Sequence, residues 1–434
     1  MLEYSENKAI EYINGLSHSG KPVKDLTRIR TLLAALGDPQ DRLKFVHIAG
    51  TNGKGSMAQM FSEVFTAAGF KTGLFTSPYI IKYSDRIKVN GENIPDRELS
   101  ALADRVRDTV STLPCREDFS QFEITQAIAF LYFLQEQCDI VVLETGMGGL
   151  LDCTNAVKTP ILTVIGSVDY DHTAVLGNTL EEIAFQKAGI IKPGVPCVLS
   201  AGNAPEVISI VRKKAEENGS RLVIPDTELL RVISCGCFGS EFEYRGKLFR
   251  TSMGGAHQIT NAMSVIEGIS LINGGGTISR EKTLCSEISY EEAAQAIERA
   301  SIPGRIQIIN RQPLTILDGA HNPDGIAALA DVVSHCGKEK CTAVIGMCRD
   351  KNIREAVANL IPFVESFITV DGFSERAESK EVLSEMINSI GGKALPAQHD
   401  IPQEIRNMQQ NNPDGLNLIC GSLFLATYVI NAGI

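Results

Sequence analysis

The chain lacks several features that mark special classes of protein. It has 434 residues and 11 cysteines but no C-x-x-C pair, and Cys235 and Cys237 stand too close together for an ordinary structural zinc site. Many cysteines lie in apolar runs, which predicts free buried thiols in a reducing compartment. No apolar run approaches the roughly 20 residues that span a bilayer. The opening segment to Ile13 has no signal-peptide core. We therefore expect a cytoplasmic protein.

Excess positive charge is also missing. The formal net charge is -11 at pH 7, which argues against general binding of nucleic acid or of anionic membranes. A local basic pocket for phosphates remains compatible with that balance. We expect no nucleic acid and no membrane as partners, and a monomeric protein.

Strand-like and helix-like segments alternate through most of the chain, without internal repeats. Near-continuous apolar strands joined by amphipathic helices predict mostly parallel sheets covered on both faces. The segment 221–252 breaks this rhythm and favours short antiparallel strands. The length predicts two domains. We place a large domain at residues 1–300 and a smaller α/β domain at 301–434.

The segment "HIAGTNGKGS" follows an apolar strand and precedes a helix. Its glycines let backbone N–H groups converge on an anion, and the helix N-terminus adds partial positive charge. Lys54 is placed to reach the β- and γ-phosphates, and Ser56 to offer a hydroxyl to Mg²⁺. The segment thus predicts a nucleotide loop with these members: Gly50, Thr51, Asn52, Gly53, Lys54, Gly55 and Ser56. The alternative is a tight turn with a solvated lysine.

Polar side chains follow three other strands of this domain. Ser77, Glu144 and the pair Asp171–His172 each come at or just after the end of an apolar strand. Ligands bind at that edge of open α/β sheets, so we expect the side chains to converge beside the loop, with the oxygen groups suited to Mg²⁺. Taken singly, each also fits a turn or loop residue.

Four further residues are candidates for a functional role because of where they lie in the chain. Arg305 lies at the domain boundary, where it suits a phosphoryl clamp or a linker surface. Asp318 and His321 lie in "LDGAHNP", at a strand end before a helix opened by Pro323. Asp318 equally suits a turn or cap. Lys187, near a helix C-terminus, reads from sequence alone as a complement to the helix dipole.

A set of short motifs then occurs in a familiar order. They are "HIAGTNGKGS", "TSPYIIKYSDRIKVNG", "LETGMGG", "LDCTN", "DHTAVLG", "QKAGIIKPG", "AHQITNA", "PGR" and "DGAHNP". Together they resemble the folylpolyglutamate and dihydrofolate synthases of the Mur ligase superfamily, over nearly the whole chain. The resemblance implies a Mur-ligase-like α/β fold: a large P-loop-type, mostly parallel sheet domain and a smaller C-terminal Rossmann-like domain. The G-T-N-G-K-G-S loop is the form that this superfamily uses for ATP.

The resemblance also implies a reaction and roles for residues. ATP would convert a carboxylate into an acyl phosphate, which the amine of L-glutamate then attacks; the acceptor is a folate, or dihydropteroate, or both. Two Mg²⁺ sites are implied, one at Ser77 and Glu144, the other at His172 and a carbamylated Lys187. Asn261 and Arg305 would contact the nucleotide. Asp318 and His321 would face the phosphoryl and glutamate ends of a cleft closed by the two domains.

The chain departs from the family pattern near the expected acceptor. Tyr79 stands where the family has histidine, Leu150 where it has arginine and Cys153 where it has alanine. These departures keep two alternatives open: a Mur-type ligase with a different carboxylate acceptor, and a nucleotide-binding protein whose ligase activity has decayed. The residues expected to carry the chemistry are intact, which argues against the second: Lys54, Glu144, His172, Lys187 and Asp318.

Overall fold

The structure is a computed structural model that describes residues 10–16, 25–274, 287–338 and 341–434. Residues 1–9, which belong to the segment expected to lack a signal-peptide core, lie outside the described residues. Contacts divide the chain into two compact units. The first contains residues Met1–Glu228 and Thr260–Ile297, and the second Leu229–Ile259 and Glu298–Ile434.

The first unit is built on an eight-stranded sheet of order β4-β3-β2-β5-β1-β6-β7-β8. Its strands are β1 (Phe45–Ala49), β2 (Thr72–Phe75), β3 (Ile87–Val89), β4 (Glu92–Asn93), β5 (Ile140–Glu144), β6 (Leu162–Ile165), β7 (Cys197–Leu199) and β8 (Leu222–Val223). The six strands β2, β5, β1, β6, β7 and β8, which are neighbours in this order, all pair in parallel. This confirms the predicted mostly parallel sheet. Sequence reasoning did not predict the antiparallel edge strands β3 and β4.

Helices cover this sheet. They are Thr27–Ala35, Lys54–Ala67, Asp96–Ser111, Gln121–Gln135, Thr173–Leu176, Leu180–Ala188 and Pro205–Glu217, with Ala256–Gly274 and Tyr290–Arg299 later in the chain. The helix Gln121–Gln135 is buried along most of its length, because apolar side chains are distributed around it rather than along one stripe. A capping box between Ser120 and Glu123 fixes where it begins.

The register of the central strands decides where the loops meet. Ile48 of β1 pairs with Glu144 of β5 on one side and with Val164 of β6 on the other. Phe75 of β2 pairs with Leu143. The loops that follow β1, β2, β5 and β6 therefore leave the sheet at one edge, as the sequence predicted.

The second unit contains two sheets. The three-stranded sheet has order β11-β10-β9, formed by β9 (Leu230–Gly236), β10 (Gly239–Tyr244) and β11 (Lys247–Thr251). All its pairs are antiparallel. These strands fall inside the segment predicted as antiparallel, whereas β8, also inside it, pairs in parallel with β7. Contacts group this sheet with the C-terminal residues, while the sequence analysis had assigned it to the N-terminal domain.

The other sheet has six strands in the order β12-β13-β17-β14-β15-β16. The strands are β12 (Gln307–Arg311), β13 (Leu314–Leu317), β14 (Cys341–Ile345), β15 (Ser366–Thr369), β16 (Ala394–Pro396) and β17 (Leu416–Cys420). The helices are Pro323–Ser334, Ile353–Ala358, Lys380–Ser389, Ile401–Asn411 and Leu423–Asn431. Only β12 runs antiparallel to its neighbour in this sheet, and the predicted smaller α/β domain is confirmed.

Two sequence expectations concern the chain's surroundings. Every cysteine in the described ranges is a free thiol, and most of these thiols are buried. None of the helices that the structure describes combines the length and the apolar character required to cross a membrane.

Candidate active site

The loop between β1 and the helix Lys54–Ala67 depends on its glycines. Gly53 caps this helix with a φ of 81°, in the left-handed region, where a side chain would be strained. A Cβ on Gly53 would lie 2.4 Å from Asn261 Oδ1. The predicted nucleotide contact Asn261 therefore packs directly on the loop. A Cβ on Gly50 would approach the backbone of Gly166 to 3.2 Å, so the loop also passes close to the end of β6.

Thr51 ties the loop to the segment after β6. Its N–H donates to the carbonyl of Ser167 at 2.6 Å. Its hydroxyl donates to the Asp169 carbonyl and accepts from the Asp169 N–H, each at 3.0 Å. The Thr51 amide is thus used inside the protein. Thr51 shapes the loop, and the later amides of the turn remain the predicted anion donors.

Lys54 lies over the turn that precedes its helix. Its Nζ donates to the carbonyls of Gly50 at 3.0 Å and Thr51 at 3.1 Å. Such contacts hold the ammonium at the mouth of the loop. Ser56, the other predicted loop member with a functional hydroxyl, is buried in the first turn of the helix.

Lys187 is buried close to this ammonium, with 3% of its surface exposed. Burial and then the positive charge of Lys54 lower the pKa of Lys187 to about 7, against the opposing effect of Asp171 and Asp152. The helix-dipole interpretation of Lys187 does not account for such burial. The structure instead brings Lys187 into the electrostatic neighbourhood of Lys54 and Asp171.

Glu144 and Ser77 meet as predicted. The Ser77 N–H donates to Glu144 Oε2 at 3.0 Å, and Glu144 is 4% exposed. The guanidinium of Arg86 lies near this carboxylate and stacks 5.2 Å from the ring centre of Tyr79 and 5.6 Å from that of Tyr83. Burial lowers the pKa of Arg86, while the two tyrosines and Glu144 favour its charge. Sequence reasoning gave Arg86 no role, although it stands inside the quoted "SDRI".

His172 lies at the rim of the first unit's strand ends. It caps the short helix Thr173–Leu176 with a φ of 51°, and its side chain is 44% exposed, with Nε2 3.8 Å from Asp171 Oδ2. The structure therefore pairs His172 with Asp171. The pairing of His172 with Lys187 at a metal remains a prediction.

The side chains expected at the metal sites differ in how well they suit Mg²⁺. Over the described ranges, no group of three or more His, Cys, Asp or Glu side chains has the arrangement of a metal site. Mg²⁺ in nucleotide sites needs only one or two carboxylates, because phosphate oxygens and water complete its octahedron. The carboxylate of Glu144 beside Ser77 fits that requirement.

The second unit holds Asp318 and Arg305 near each other. Asp318 is buried, and its carboxylate accepts from the N–H of Ile306 and of Ala320, both at 2.8 Å. These bonds fix the backbone on the C-terminal side of Arg305. His257 lies buried nearby: burial lowers its pKa, Asp318 raises it, and Arg305 lowers it. His257 was missed, although it stands in the quoted "AHQITNA".

His321 and Asn322 complete the turn after β13. His321 Nδ1 lies 2.9 Å from the Gly319 carbonyl; since a carbonyl only accepts, Nδ1 carries the proton and donates. Asn322 caps the helix Pro323–Ser334 by accepting from the Gly325 N–H at 2.8 Å. The carbonyl of Gly319, in the same turn, thus orients the imidazole of His321.

The departures from the family pattern have different surroundings. Tyr79 is 36% exposed and stacks on Arg86. Leu150 is half-buried, and a Cβ on Gly189 would lie 2.5 Å from it. Cys153 is buried in the core of the first unit, so its side chain packs there, whereas Tyr79 and Leu150 are partly accessible.

Comparison with known proteins places these sites in context. The Mur ligase middle domain matches residues 48–267, and the Mur ligase glutamate ligase domain matches residues 304–423. The chain is 36% identical over 351 residues to the dihydrofolate synthase/folylpolyglutamate synthase of Bacillus subtilis, covering 77% of this chain and 78% of that protein. It is 33% identical over 360 residues to the folylpolyglutamate synthase of Lacticaseibacillus casei, covering 81% of each. The E. coli FolC structure in complex with DHPP and ADP aligns with a TM-score of 0.83 at 26% identity, over 98% of this chain and 97% of that one.

Proposed function

Because the chain belongs to the Mur ligase family of folylpolyglutamate and dihydrofolate synthases, we propose that it is an ATP-dependent ligase that adds L-glutamate to a folate. Formation of dihydrofolate from dihydropteroate is included as a second activity of the same site. One observation carries the proposal within this chain. The glycine loop with Lys54 and the buried Glu144 share one edge of the large sheet, through the pairing of Ile48 with Glu144.

ATP binding is assigned to the loop and the start of its helix. The glycine turn and the helix N-terminus favour the charge of the phosphates. Lys54 would exchange its contacts with Gly50 and Thr51 for phosphate oxygens. This exchange places an ammonium where negative charge accumulates as the terminal phosphoryl group is transferred. Asn261, packed on Gly53, limits the width of the loop on one side.

Mg²⁺ would be held by Glu144 and Ser77, and when bound it neutralises charge on the transferring phosphoryl group. Glu144 is pre-oriented for this task by the Ser77 amide and by the adjacent charge of Arg86. A second site at His172 and Lys187 is part of the proposal.

Lys187 suits carbamylation because a pKa of about 7 leaves a large share of its amine neutral near pH 7. The neutral amine attacks CO₂, an N–C bond forms and a proton leaves, so a cation becomes an anion. A Lys187→Ala variant should lose ligation, with partial rescue by added short carboxylates; full activity without rescue would remove Lys187 from the metal site.

The carboxylate of the acceptor is activated by phosphorylation. Its oxygen attacks the γ-phosphorus of ATP, the bond to the bridging oxygen of ADP breaks, and an acyl phosphate forms. The amine of glutamate then attacks the carbonyl carbon, phosphate leaves and the amine gives up a proton. In the second unit, we assign Arg305 to the nucleotide and His321 to the glutamate end. Asp318 fixes the backbone beside Arg305 through its bond to the Ile306 amide.

A product assay tests the proposal directly. The protein is incubated with ATP, Mg²⁺ and L-glutamate, together with tetrahydrofolate or with dihydropteroate, and products are identified by mass spectrometry. We expect a product heavier than the acceptor by one glutamyl residue, together with ADP, only when ATP, glutamate and acceptor are all present. ATP binding without turnover with any acceptor would instead support a decayed ligase.

A second candidate keeps the chemistry and changes the acceptor. Leu150, in place of the family's arginine, removes a positive charge from the loop after β5, and Tyr79 adds a ring stacked on Arg86. Leu150→Arg should change the KM for folate more than the KM for ATP. ADP formation with a different carboxylate, and none with folate or dihydropteroate, would favour this candidate. A cytoplasmic monomer is the proposed form of the enzyme.

A further inference from the structure

The central strand of the large sheet carries a fully buried histidine. His47 of β1 is 0% exposed and lies three residues before Gly50 of the nucleotide loop. Its Nε2 is 2.9 Å from the hydroxyl of Thr154, which is also buried. None of the roles assigned above to the loop or to the metal ligands uses this imidazole.

The Thr154 hydroxyl continues the contact to a buried carboxylate. Thr154 Oγ1 donates to Asp152 Oδ1 at 2.5 Å, and the Thr154 N–H donates to the same oxygen at 3.0 Å. Since the hydroxyl gives its single proton to the carboxylate, His47 Nε2 must be the donor to Thr154. The histidine is therefore the neutral tautomer protonated on Nε2, in keeping with a pKa that burial and then the charge of Lys192 lower to about 3.

Asp152 closes the loop that follows Glu144. Its Oδ2 accepts from the Met147 N–H at 2.8 Å, and the Gly146 backbone also bonds to it. A Cβ on Gly146 would lie 3.2 Å from Oδ2. One carboxylate thus holds both ends of the segment 146–152, between Glu144 and the turn Cys153–Ala156. This segment includes Leu150, one of the departures at the expected acceptor site.

The buried imidazole of His47 lowers the stability of the folded protein. Its Nδ1 is buried and has no hydrogen-bond partner among the residues that the structure describes, and such an unpaired acceptor costs free energy. An apolar side chain in the centre of the sheet would avoid that cost. Unlike an apolar side chain, the imidazole donates a hydrogen bond from Nε2 to the hydroxyl of Thr154.

We propose that His47 is a positioning residue for the acceptor substrate: through Thr154 it orients Asp152 and so fixes the segment 146–152 beside Glu144. The inference rests on the proposed function for what the segment binds. The relay links the strand that begins the nucleotide loop to the segment expected to hold the acceptor, so its loss should affect acceptor binding and leave ATP binding in place.

Two matched pairs of variants test the relay. His47→Leu removes the donor, whereas His47→Gln keeps an N–H at a similar reach. Thr154→Val removes the hydroxyl, whereas Thr154→Ser keeps it. Hydrogen–deuterium exchange is followed on a peptide containing Gly146 and Met147, and KM is measured for the acceptor and for ATP. Circular dichroism confirms that each variant is folded.

We expect faster exchange at Gly146–Met147 and an acceptor KM raised about tenfold in His47→Leu and Thr154→Val, as for other residues that orient a site through a partner. The KM for ATP should change less than about twofold. The Gln and Ser variants should behave nearly as the parent. The double variant His47→Leu/Thr154→Val should be no worse than either single one, because both interrupt one relay.

The outcomes separate the two proposals. Unchanged exchange in His47→Leu, or faster exchange with an unchanged acceptor KM, would overturn the positioning role. An equal rise in both KM values would also overturn it. If the parent protein turns over neither folate nor dihydropteroate, the proposed function fails, while the exchange experiment still decides whether the relay holds the segment.

Discussion

Two turns in this chain connect a parallel strand to a helix, and they differ in how their polar groups are hydrogen-bonded. One follows β1 and opens the helix Lys54–Ala67; the other follows β13 and opens the helix Pro323–Ser334. Both begin at the carboxyl end of a buried parallel strand, where α/β proteins bind ligands. They differ in how they treat their own polar groups.

The polar groups of the turn after β13 are hydrogen-bonded within the turn and to neighbouring residues. Asn322 supplies the cap to the Gly325 amide, and Pro323 has no N–H to satisfy. The carboxylate of Asp318 accepts from Ile306 and Ala320. Because its donors and acceptors are paired, this turn is suited to hold Arg305 and His321 in fixed places.

The turn after β1 has no side-chain cap for its helix and carries positive charge. Its cap is Gly53, which contributes no side-chain bond to the first turn of the helix. Lys54 rests on two backbone carbonyls, and the buried Lys187 lies within range of its charge. The charge of Lys54 disfavours a charged Lys187, and an anion bound at the turn would offset that repulsion. The comparison indicates that the first turn receives the phosphates and the second positions side chains.

Removal of the Lys54 ammonium should have the largest effect on this contrast. Lys54→Ala takes away the cation that we assign to the transferring phosphoryl group, so we expect ligation to fall by about 10³-fold. The loop's fold should survive, because Thr51 still ties it to Ser167 and Asp169. Steady-state rates and binding of a non-hydrolysable ATP analogue measure the effect.

Lys71→Ala is a matched control for Lys54→Ala, since Lys71 pairs with Glu136 at the surface. It should leave the rate within about twofold, as surface ion pairs contribute little. An unchanged rate in Lys54→Ala would assign the loop to something other than phosphate binding and would remove the distinction between the two turns.

The second prediction concerns stability without nucleotide or metal. Lys187→Met should raise the free energy of unfolding at pH 6, because Met fills the site without a buried ammonium. In the parent protein, the folded-state pKa of Lys187 is about 7 against an ordinary 10.5, so between these values the unfolded state binds more protons. Stability of the parent therefore rises with pH across that window, and the penalty is fully present below pH 7.

The shift from 10.5 to about 7, at about 1.4 kcal/mol per pKa unit, sets the upper limit of the variant's gain at about 5 kcal/mol at pH 6 and about 2 kcal/mol at pH 9. Urea denaturation in CO₂-free buffer at both pH values gives the difference. Lys213→Met, at an exposed position of the helix Pro205–Glu217, is the control and should leave the pH dependence as in the parent. A Lys187→Met protein less stable than the parent at pH 6 would mean that the ammonium is well paired.

Sequence reasoning recovered the architecture because apolar strands and helix signals are local. The central strands β1, β2, β5 and β6 are buried along their whole length, which is the property that the apolar runs of the sequence predicted. The strands β3, β4, β12 and β16, at or next to the edges of their sheets, were not predicted. They are short or partly exposed, and a strand that buries little apolar surface leaves a weak pattern.

The site shows the same limit. Strand ends predicted that Ser77 and Glu144 would meet, since a parallel register brings such ends together. The roles of Asp152 and Arg86 depend on contacts between residues distant in sequence, and nothing in the spacing of "SDRI" or "LDCTN" points to Glu144 or to His47. The burial of Lys187 likewise comes from tertiary packing, which the charge pattern of its helix does not reveal.

The smallest expected effect tests the self-sufficient turn. Asn322→Ala removes the acceptor of the Gly325 N–H and should cost about 1 kcal/mol of stability, the usual cost of losing a helix cap. Asn322→Asp keeps an oxygen at the cap and should cost less. Affinity for the ATP analogue should stay within about twofold in both variants, because this cap serves the helix and no phosphate is assigned to it. If Asn322→Ala instead weakened the analogue as strongly as Lys54→Ala does, the turn after β13 would itself be an anion site, and internal pairing of its amides would be the state that ATP displaces.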